Sequence, residues 1–334
     1  MNNGSDTVTP INTTTNTAGK PIPVGSGPFA IAITPDGKTA YVANNLAGTV
    51  TPILTAINTA GRPIPAGSDP LAIAITPDGR TAYVVNNGSD TVTPINTATN
   101  TAGNPIPVGG DPFAIAITPD GRTAYVANSL SGTVTPILTA TNTSGPPITV
   151  SNGPSPDVIA ITPDGGTAYV VNADPSDTVT PILTATNTAG KPITVGPDPK
   201  AIAITPNGEE VYVANTNSDS VTPIRTATNT AGQPILVGNA PYSIAITPDG
   251  RTAYVGNTNS GTVTPILTAT RRAGKPIRTG QNPIAVVITS NGKTVYVANY
   301  DLGMVTLIWT ATNTAGNPFP VGNGPTAIAI MVSR

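Results

Sequence analysis

One position in the sequence changes chemical class from repeat to repeat, while its neighbours stay nearly constant. It follows the proline that precedes a recurring Ala-Ile-Ala-Ile run, and Thr326 occupies it in the last copy. Carboxylate, ammonium and phenol groups can serve in acid–base chemistry, and pockets combine a mostly apolar lining with a few polar groups. An incidental salt bridge at a drifting, exposed position is the competing interpretation. The candidate ligand-binding residues are Phe29, Leu71, Phe113, Asp157, Lys200, Tyr242 and Ile284.

The chain contains no histidine and no cysteine. Their absence excludes Ser-His-Asp and Cys-His catalysis, and most zinc and haem ligation. The spaced acidic loop that binds calcium is also missing from the sequence. We therefore predict no metal and no cofactor, and the sequence identifies no catalytic residue.

Three other recurring sets of polar residues have a structural explanation. The acidic residue of each Pro-Asp-Gly segment is typical of a tight turn, which we favour over a ring of metal ligands. A tyrosine in the second apolar run of each repeat is expected to pack between neighbouring blades, and the asparagine that ends this run to satisfy the backbone. The turn residues are Asp36, Asp78, Asp120, Asp164, Asn207 and Asp249; the tyrosines are Tyr41, Tyr83, Tyr125, Tyr169, Tyr212, Tyr254 and Tyr296.

These residues recur because the chain consists of repeated units. An Ala-Gly or Ser-Gly pair returns at intervals of 42 residues, with one interval of 45. Each unit carries four short β-rich runs separated by turn signals, illustrated by residues 30–34, 39–43, 49–53 and 63–66. Four antiparallel strands in a repeat of this length are typical of a propeller blade. The alanine-rich first run suits the crowded centre and the proline-rich last run suits the outer edge.

The sequence therefore predicts an all-β protein, with residues 1–334 forming a single β-propeller domain of about eight 42-residue repeats. The first and third runs each occur eight times, but the second occurs seven times. We predict eight blades and a ring closed by the N- and C-terminal strands. Seven blades with a displaced terminal fragment is the alternative. The candidate ring then lies where the first strands begin, at the mouth of the central channel.

Tyr-Val-Ala-Asn at residues 41–44, after Thr-Pro-Asp-Gly and before Gly-Thr-Val-Thr-Pro-Ile, resembles the YVTN β-propeller repeat family. Alanine, valine or glycine replaces the threonine of that motif. The resemblance implies a surface-layer or secreted protein with a binding role. Related propellers include lactonase-like proteins and streptogramin lyases. The lyases use a histidine, which this chain lacks, so the resemblance does not transfer their activity.

The composition limits the kinds of partner that the protein can bind. Charged residues make up 10% of the chain and the net charge is −2, so no basic face is available for nucleic acid. No apolar stretch is long enough to span a membrane. We predict a non-catalytic binding or cell-surface module for an unknown protein, glycan or small-molecule ligand. The alternative is a lyase- or cyclase-type enzyme acting at the channel mouth without histidine or metal. A secreted or cell-surface location is expected, otherwise a cytoplasmic one.

Overall fold

The computed structural model describes residues 1–150, 153, 155–173 and 175–331. Each complete repeat forms one antiparallel sheet whose strands we call A to D in chain order. Strand A spans Pro28–Ile33, Pro70–Ile75, Pro112–Ile117, Pro156–Ile161, Pro199–Ile204, Pro241–Ile246 and Pro283–Ile288 in blades 1 to 7. Strand B spans Thr39–Asn44, Thr81–Asn86, Thr123–Asn128, Thr167–Asn172, Glu210–Asn215, Thr252–Asn257 and Thr294–Asn299.

Strand C pairs with strand B along its whole length, and strand D pairs with strand C in two short pieces. Strand C spans Thr49–Leu54, Thr91–Asn96, Thr133–Leu138, Thr178–Leu183, Ser220–Arg225, Thr262–Leu267 and Met304–Trp309. The first piece of D spans Thr59–Ala60, Thr101–Ala102, Thr143–Ser144, Thr188–Ala189, Thr230–Ala231, Arg272–Ala273 and Thr314–Ala315. The second spans Ile64–Pro65, Ile106–Pro107, Ile148–Thr149, Ile193–Thr194, Ile235–Leu236, Ile277–Arg278 and Phe319–Pro320. Short 3-10 turns span Asn3–Ser5, Asn87–Ser89, Thr216–Ser218 and Tyr300–Leu302.

The Pro-Asp-Gly segments are the turns that join strands A and B. In blade 1, the Gly37 amide donates to the Thr34 carbonyl (2.8 Å), and Gly37 takes a φ of +73° that favours glycine. Asp36 Oδ1 accepts from Thr34 Oγ1 (2.6 Å) and from the Lys38 amide (3.0 Å). The carboxylate is therefore used by the turn itself, as the sequence predicts.

The hydrophobic core lies between neighbouring blades. Tyr41 and Val50 of blade 1 pack against Val84 and Ile95 of blade 2, and the same layer recurs at the following interfaces. Strand B is buried on both faces, and successive A strands pack against one another. Strand A is therefore innermost, and its half-buried Ala and Ile side chains also pack between neighbouring blades.

In the described part of the chain, seven repeats form complete blades, not eight. The prediction of eight blades is wrong, because the eighth copies of strands A and C have no full strand B between them. The terminal residues instead form two small ladders, Thr7–Val8 with Ile22–Pro23 and Ile11–Asn12 with Thr17–Ala18. The alternative of seven blades with a terminal fragment describes this arrangement.

The two termini meet between blade 7 and blade 1. Asn2 bridges to Pro325, and the nitrogen of Met1 donates to the Ala327 carbonyl (3.1 Å). Ala327 packs against blade 1, and Ile328 packs against blade 7. Among the described residues, no helix is long and apolar enough to cross a membrane.

Candidate functional site

The seven candidate site residues occupy the same place in their blades, the second residue of strand A. In blade 1 the pairing of strands A and B shifts register between Pro28 and Ala30, so Phe29 stands at a β-bulge. The same shift recurs in the other six blades. A bulge leaves one residue outside the ladder and redirects its side chain. This explains why the position tolerates different residue types while its neighbours do not.

The exposure of the ring divides by chemistry. Phe29, Phe113 and Tyr242 are 41%, 40% and 46% exposed. Leu71, Asp157, Lys200 and Ile284 are half-buried. The aromatic members of the ring are therefore more exposed than its charged and aliphatic members.

The structure brings the polar members of the ring together on three consecutive blades. Lys200 Nζ lies 3.6 Å from Asp157 Oδ2 and 3.0 Å from Asp198 Oδ1. Ser129 Oγ donates to Asp157 Oδ1 over 3.4 Å. One ammonium is therefore shared by two carboxylates from neighbouring blades.

These contacts shift the pKa values of both partners. Burial raises the pKa of Asp157, and the charge of Asp198 adds to that effect, while Lys200 and Ser129 oppose it. Burial lowers the pKa of Lys200, but its bond to Asp198 and the charges of Asp198, Asp157 and Tyr242 outweigh burial and raise it. Lys200 stays an ammonium at neutral pH, whereas Asp157 exchanges its proton at a higher pH than an ordinary carboxyl.

The apolar members of the ring stand apart from this cluster. Phe29, Leu71, Phe113 and Ile284 belong to blades 1, 2, 3 and 7, and Asp157, Lys200 and Tyr242 to blades 4, 5 and 6. The mouth of the channel is therefore asymmetric, with a polar half and an apolar half.

Two partners in the cluster were missed from the sequence. Asp198 precedes the proline of strand A with a φ of +53°, and Ser129 directly follows strand B of blade 3. Asp69 and Asp111 hold the place of Asp198 in other blades. The repeated Asp-Pro pair is visible in the sequence. It indicates a loop conformation, however, and does not predict that Asp198 pairs with Lys200.

The repeated tyrosines are structural, as predicted. Tyr41 Oη donates to Asn100 Oδ1 of the next blade (2.6 Å), and Tyr83 Oη donates to Asn142 Oδ1 (2.6 Å). Burial raises the pKa of Tyr83 to about 12. These phenols therefore stay protonated and connect blades, and they do not reach the channel.

Arg271 also has a structural role. Arg271 stands where other blades carry the asparagine, and it forms an ion pair with Glu210. Glu210 in turn accepts a hydrogen bond from Tyr212 Oη (2.6 Å). The Arg271–Glu210 pair therefore replaces the tyrosine–asparagine contact at this interface.

The comparisons with known proteins point to propellers and to enzymes. A family described as "Lactonase, 7-bladed beta-propeller" matches residues 4–146. Kuenenia stuttgartiensis hydrazine synthase is 26% identical, with a TM-score of 0.71, over 85% of this chain and 96% of that one. A dihydro-heme d1 dehydrogenase in complex with DHE is 15% identical, with a TM-score of 0.83, over 97% and 73% of the two chains. No curated protein sequence matches significantly.

These findings confirm a β-propeller repeat protein and correct the functional prediction. The matching family is described by an enzymatic activity, and the structure with 26% identity is named as a synthase. The prediction of a non-catalytic binding or cell-surface module is contradicted. The alternative, an enzyme that acts on a small molecule, fits better.

Proposed function

We propose that the protein is a hydrolase of small cyclic esters whose active site is the polar half of the channel mouth. The observation that carries the proposal is the half-buried Asp157–Lys200–Asp198 cluster beside Tyr242. The family matched by residues 4–146 supports the class of substrate. The cluster itself lies outside that match, so its role rests on its own chemistry.

Asp157 is the general base of the proposed reaction. Its raised pKa makes it a better proton acceptor than an ordinary carboxylate. It takes a proton from water as the water oxygen bonds to the ester carbonyl carbon. The ring C–O bond then breaks, and the leaving oxygen takes the proton back from Asp157. The sum is ester plus water giving a hydroxy acid, without an oxidant or a metal.

Lys200 stabilises the charge that develops during the attack. Its ammonium is a fixed hydrogen-bond donor beside the base. It stabilises the oxyanion that forms on the carbonyl oxygen more than it stabilises the neutral ester. Asp198 positions this ammonium through the 3.0 Å contact. The exposed ring of Tyr242 and the apolar half of the mouth supply the surface on which an apolar portion of the substrate rests.

The test is hydrolysis of a panel of five- and six-membered lactones, followed by the acid released. We expect Asp157→Asn to reduce kcat by about 10²-fold or more, within the range for removal of a general base. Asp69→Asn is the control, because Asp69 is an acidic residue two places before Leu71, which occupies the position of Asp157 in blade 2. The wild-type protein failing on every lactone would refute the substrate class. Full activity of Asp157→Asn would refute the site.

Two finer predictions remain proposals. Assignment to the YVTN repeat family rests on the motif of residues 41–44 and its repetition. A secreted or cell-surface location rests on that resemblance.

A further inference from the structure

The strands of the seven blades run between two faces of the ring. On the lower face the A–B and C–D turns of each blade are bonded together, as where the Thr55 amide donates to the Lys38 carbonyl (3.0 Å). On the upper face the B–C and D–A connections are bonded together, as where the Asn45 amide donates to the Gly27 carbonyl (2.8 Å). Strand A begins on the upper face, so the Asp157 cluster lies there and the lower face is remote from it.

The lower face carries exposed apolar side chains at one level. The last residue of strand C is apolar in five of the seven blades, and its exposed fraction is between 41% and 55%. Equivalent residues of a propeller lie at the same height along the ring axis, so these five side chains share a plane. A single exposed leucine is ordinary, but five in one plane form an apolar rim. The residues of the apolar rim are Leu54, Leu138, Leu183, Leu267 and Trp309.

Long cationic side chains extend from the same face. The residue after the glycine of the A–B turn is a lysine or an arginine in five blades: Lys38, Arg80, Arg122, Arg251 and Lys293. Where such a cation pairs with the aspartate of its own turn, its side chain is 81–86% exposed and that of the aspartate 47–57%. The cations therefore reach further into solvent than the carboxylates. Arg225 ends strand C in blade 5, Arg272 begins strand D in blade 6, and both are exposed.

The two faces differ in charge. Among the described residues of the seven blades, the upper connections and the adjoining strand ends carry eight aspartates, such as Asp90 and Asp219, against Lys200 and Arg278. The turns and strand ends of the lower face carry eight cations against seven carboxylates. The upper face is therefore strongly acidic and the lower face is not. An anionic surface repels the upper face and attracts the outward cations of the lower one.

We propose that the lower face docks on an anionic phospholipid surface, with the mouth of the channel facing away into water. The apolar rim enters the boundary between headgroups and acyl chains, while the lysines and arginines around it reach the phosphates. The partner is a membrane rather than an acidic protein, because apolar residues spread over separate blades at one level match a plane. Tryptophan, lysine and arginine are also the side chains that favour this boundary. Docking of this kind is independent of whether the channel mouth hydrolyses esters.

Trp309 is the single tryptophan of the chain, so its fluorescence reports on the apolar rim directly. The experiment adds vesicles of phosphatidylcholine containing phosphatidylglycerol at low ionic strength, and follows tryptophan emission together with co-flotation. We expect co-flotation, a blue shift of the emission, and quenching when the acyl chains are brominated, because the indole leaves water for the lipid boundary. Vesicles of phosphatidylcholine alone should bind about 10-fold more weakly, and added salt should weaken binding to the anionic vesicles.

Paired charge variants locate the docking face. Arg225→Gln combined with Arg272→Gln is expected to weaken binding to the anionic vesicles about 25-fold, or about 5-fold for each cation. Arg62→Gln combined with Lys191→Gln is the matched control. It removes the same charge from exposed positions between the two pieces of strand D in blades 1 and 4. The control should weaken binding about 2-fold or less, because its cations lie away from the lower face.

A second pair of variants tests the apolar rim. Leu267→Ser should weaken binding about 5-fold, because an apolar side chain no longer leaves water on docking. Leu236→Ser is its control, since Leu236 is an exposed leucine at the upper end of strand D in the neighbouring blade. This control should bind as the wild type does.

Failure of the wild-type protein to co-float with anionic vesicles would overturn the proposal. Co-flotation without a shift or quenching of Trp309, or an equal loss of binding in the control variants, would show that another face docks and would overturn it as well. If soluble poly-glutamate shifts the emission as strongly as the vesicles do and brominated lipid does not quench it, the partner is an acidic polymer and the membrane proposal is wrong.

Discussion

At the scale of single residues, a charged pair is held at a position that four of the other five blades fill with apolar groups. The bulge at the second residue of strand A frees this side chain from the ladder. The sequence singles out this position as a candidate, because its chemical variation stands out against constant neighbours. It was not sufficient to select Asp198 or Ser129, because their approach depends on how neighbouring blades are placed.

The pH dependence of the proposed activity follows from the raised pKa of Asp157. A general base acts when ionised, so kcat should fall as the pH drops through that pKa, which lies above the usual value of about 3.9. Lys200→Gln removes a charge that lowers the pKa of Asp157, so the acid limb should move to higher pH while kcat drops. The measurement is kcat from pH 4 to 8 for both proteins. An unchanged limb would show that Lys200 does not face the base.

The tyrosine hydroxyls should contribute modestly and separately to stability. Tyr83→Phe removes the bond to Asn142 Oδ1 without changing the packed ring. We expect a loss of about 1 kcal/mol in the free energy of unfolding, measured in urea. In Asn142→Gly the same substitution should cost less, because only the longer contact to the Thr139 carbonyl (3.3 Å) is left to lose. A loss of several kcal/mol would instead point to disrupted packing.

At the scale of elements, the Pro-Asp-Gly turn is determined by local chemistry. Asn207 and Asn291 replace the aspartate in two turns and accept the same backbone bond (3.1 and 3.0 Å). Local signals of this kind explain why the strands and their order were predictable. The number of blades was not, because counting apolar runs does not show whether each run finds partners on both sides.

This equivalence predicts how one turn responds to substitution. Asp78→Asn keeps the acceptor and should change stability little at pH 7, whereas Asp78→Ala loses the bonds from Thr76 and Arg80 and should cost about 1 kcal/mol.

The same turn should also respond to acid. The bonds from Thr76 and Arg80 lower the pKa of Asp78, so its contribution is present above the unfolded pKa of about 3.9 and is lost as the pH falls through the lower folded value. Asp78→Asn should therefore lose less stability than the wild type between pH 5 and 2. The measurement is Tm across that range. Parallel curves for the two proteins would contradict this assignment.

At the scale of the whole molecule, the same layer of tyrosine, valine and isoleucine is repeated around the ring. Stability in such a chain is the sum of similar units and the interfaces between them. The sequence predicts a fold that needs neither disulfides nor metal, since it lacks cysteine and histidine.

Chelation tests that expectation directly. The Tm in the presence of excess EDTA should equal the Tm in buffer, because no interface is expected to depend on a cation. Added calcium should likewise leave it unchanged. A drop in Tm with chelator, reversed by a divalent cation, would show that acidic residues on one face do bind metal.

The bonds from tyrosine to asparagine have a consequence for how the gene can change length. Apart from the repeat that carries Arg271, each repeat has one tyrosine donor and one asparagine acceptor, and a bonded pair is separated by 59 residues where the repeat is regular. Copying any in-frame stretch of one period therefore produces a new matched interface, wherever the break falls. The irregular fourth repeat shows the tolerance of this arrangement: Tyr125 reaches Asn187 across 62 residues with the same 2.6 Å contact. A ring built this way can gain or lose one repeat by recombination without needing a new type of contact between neighbouring blades.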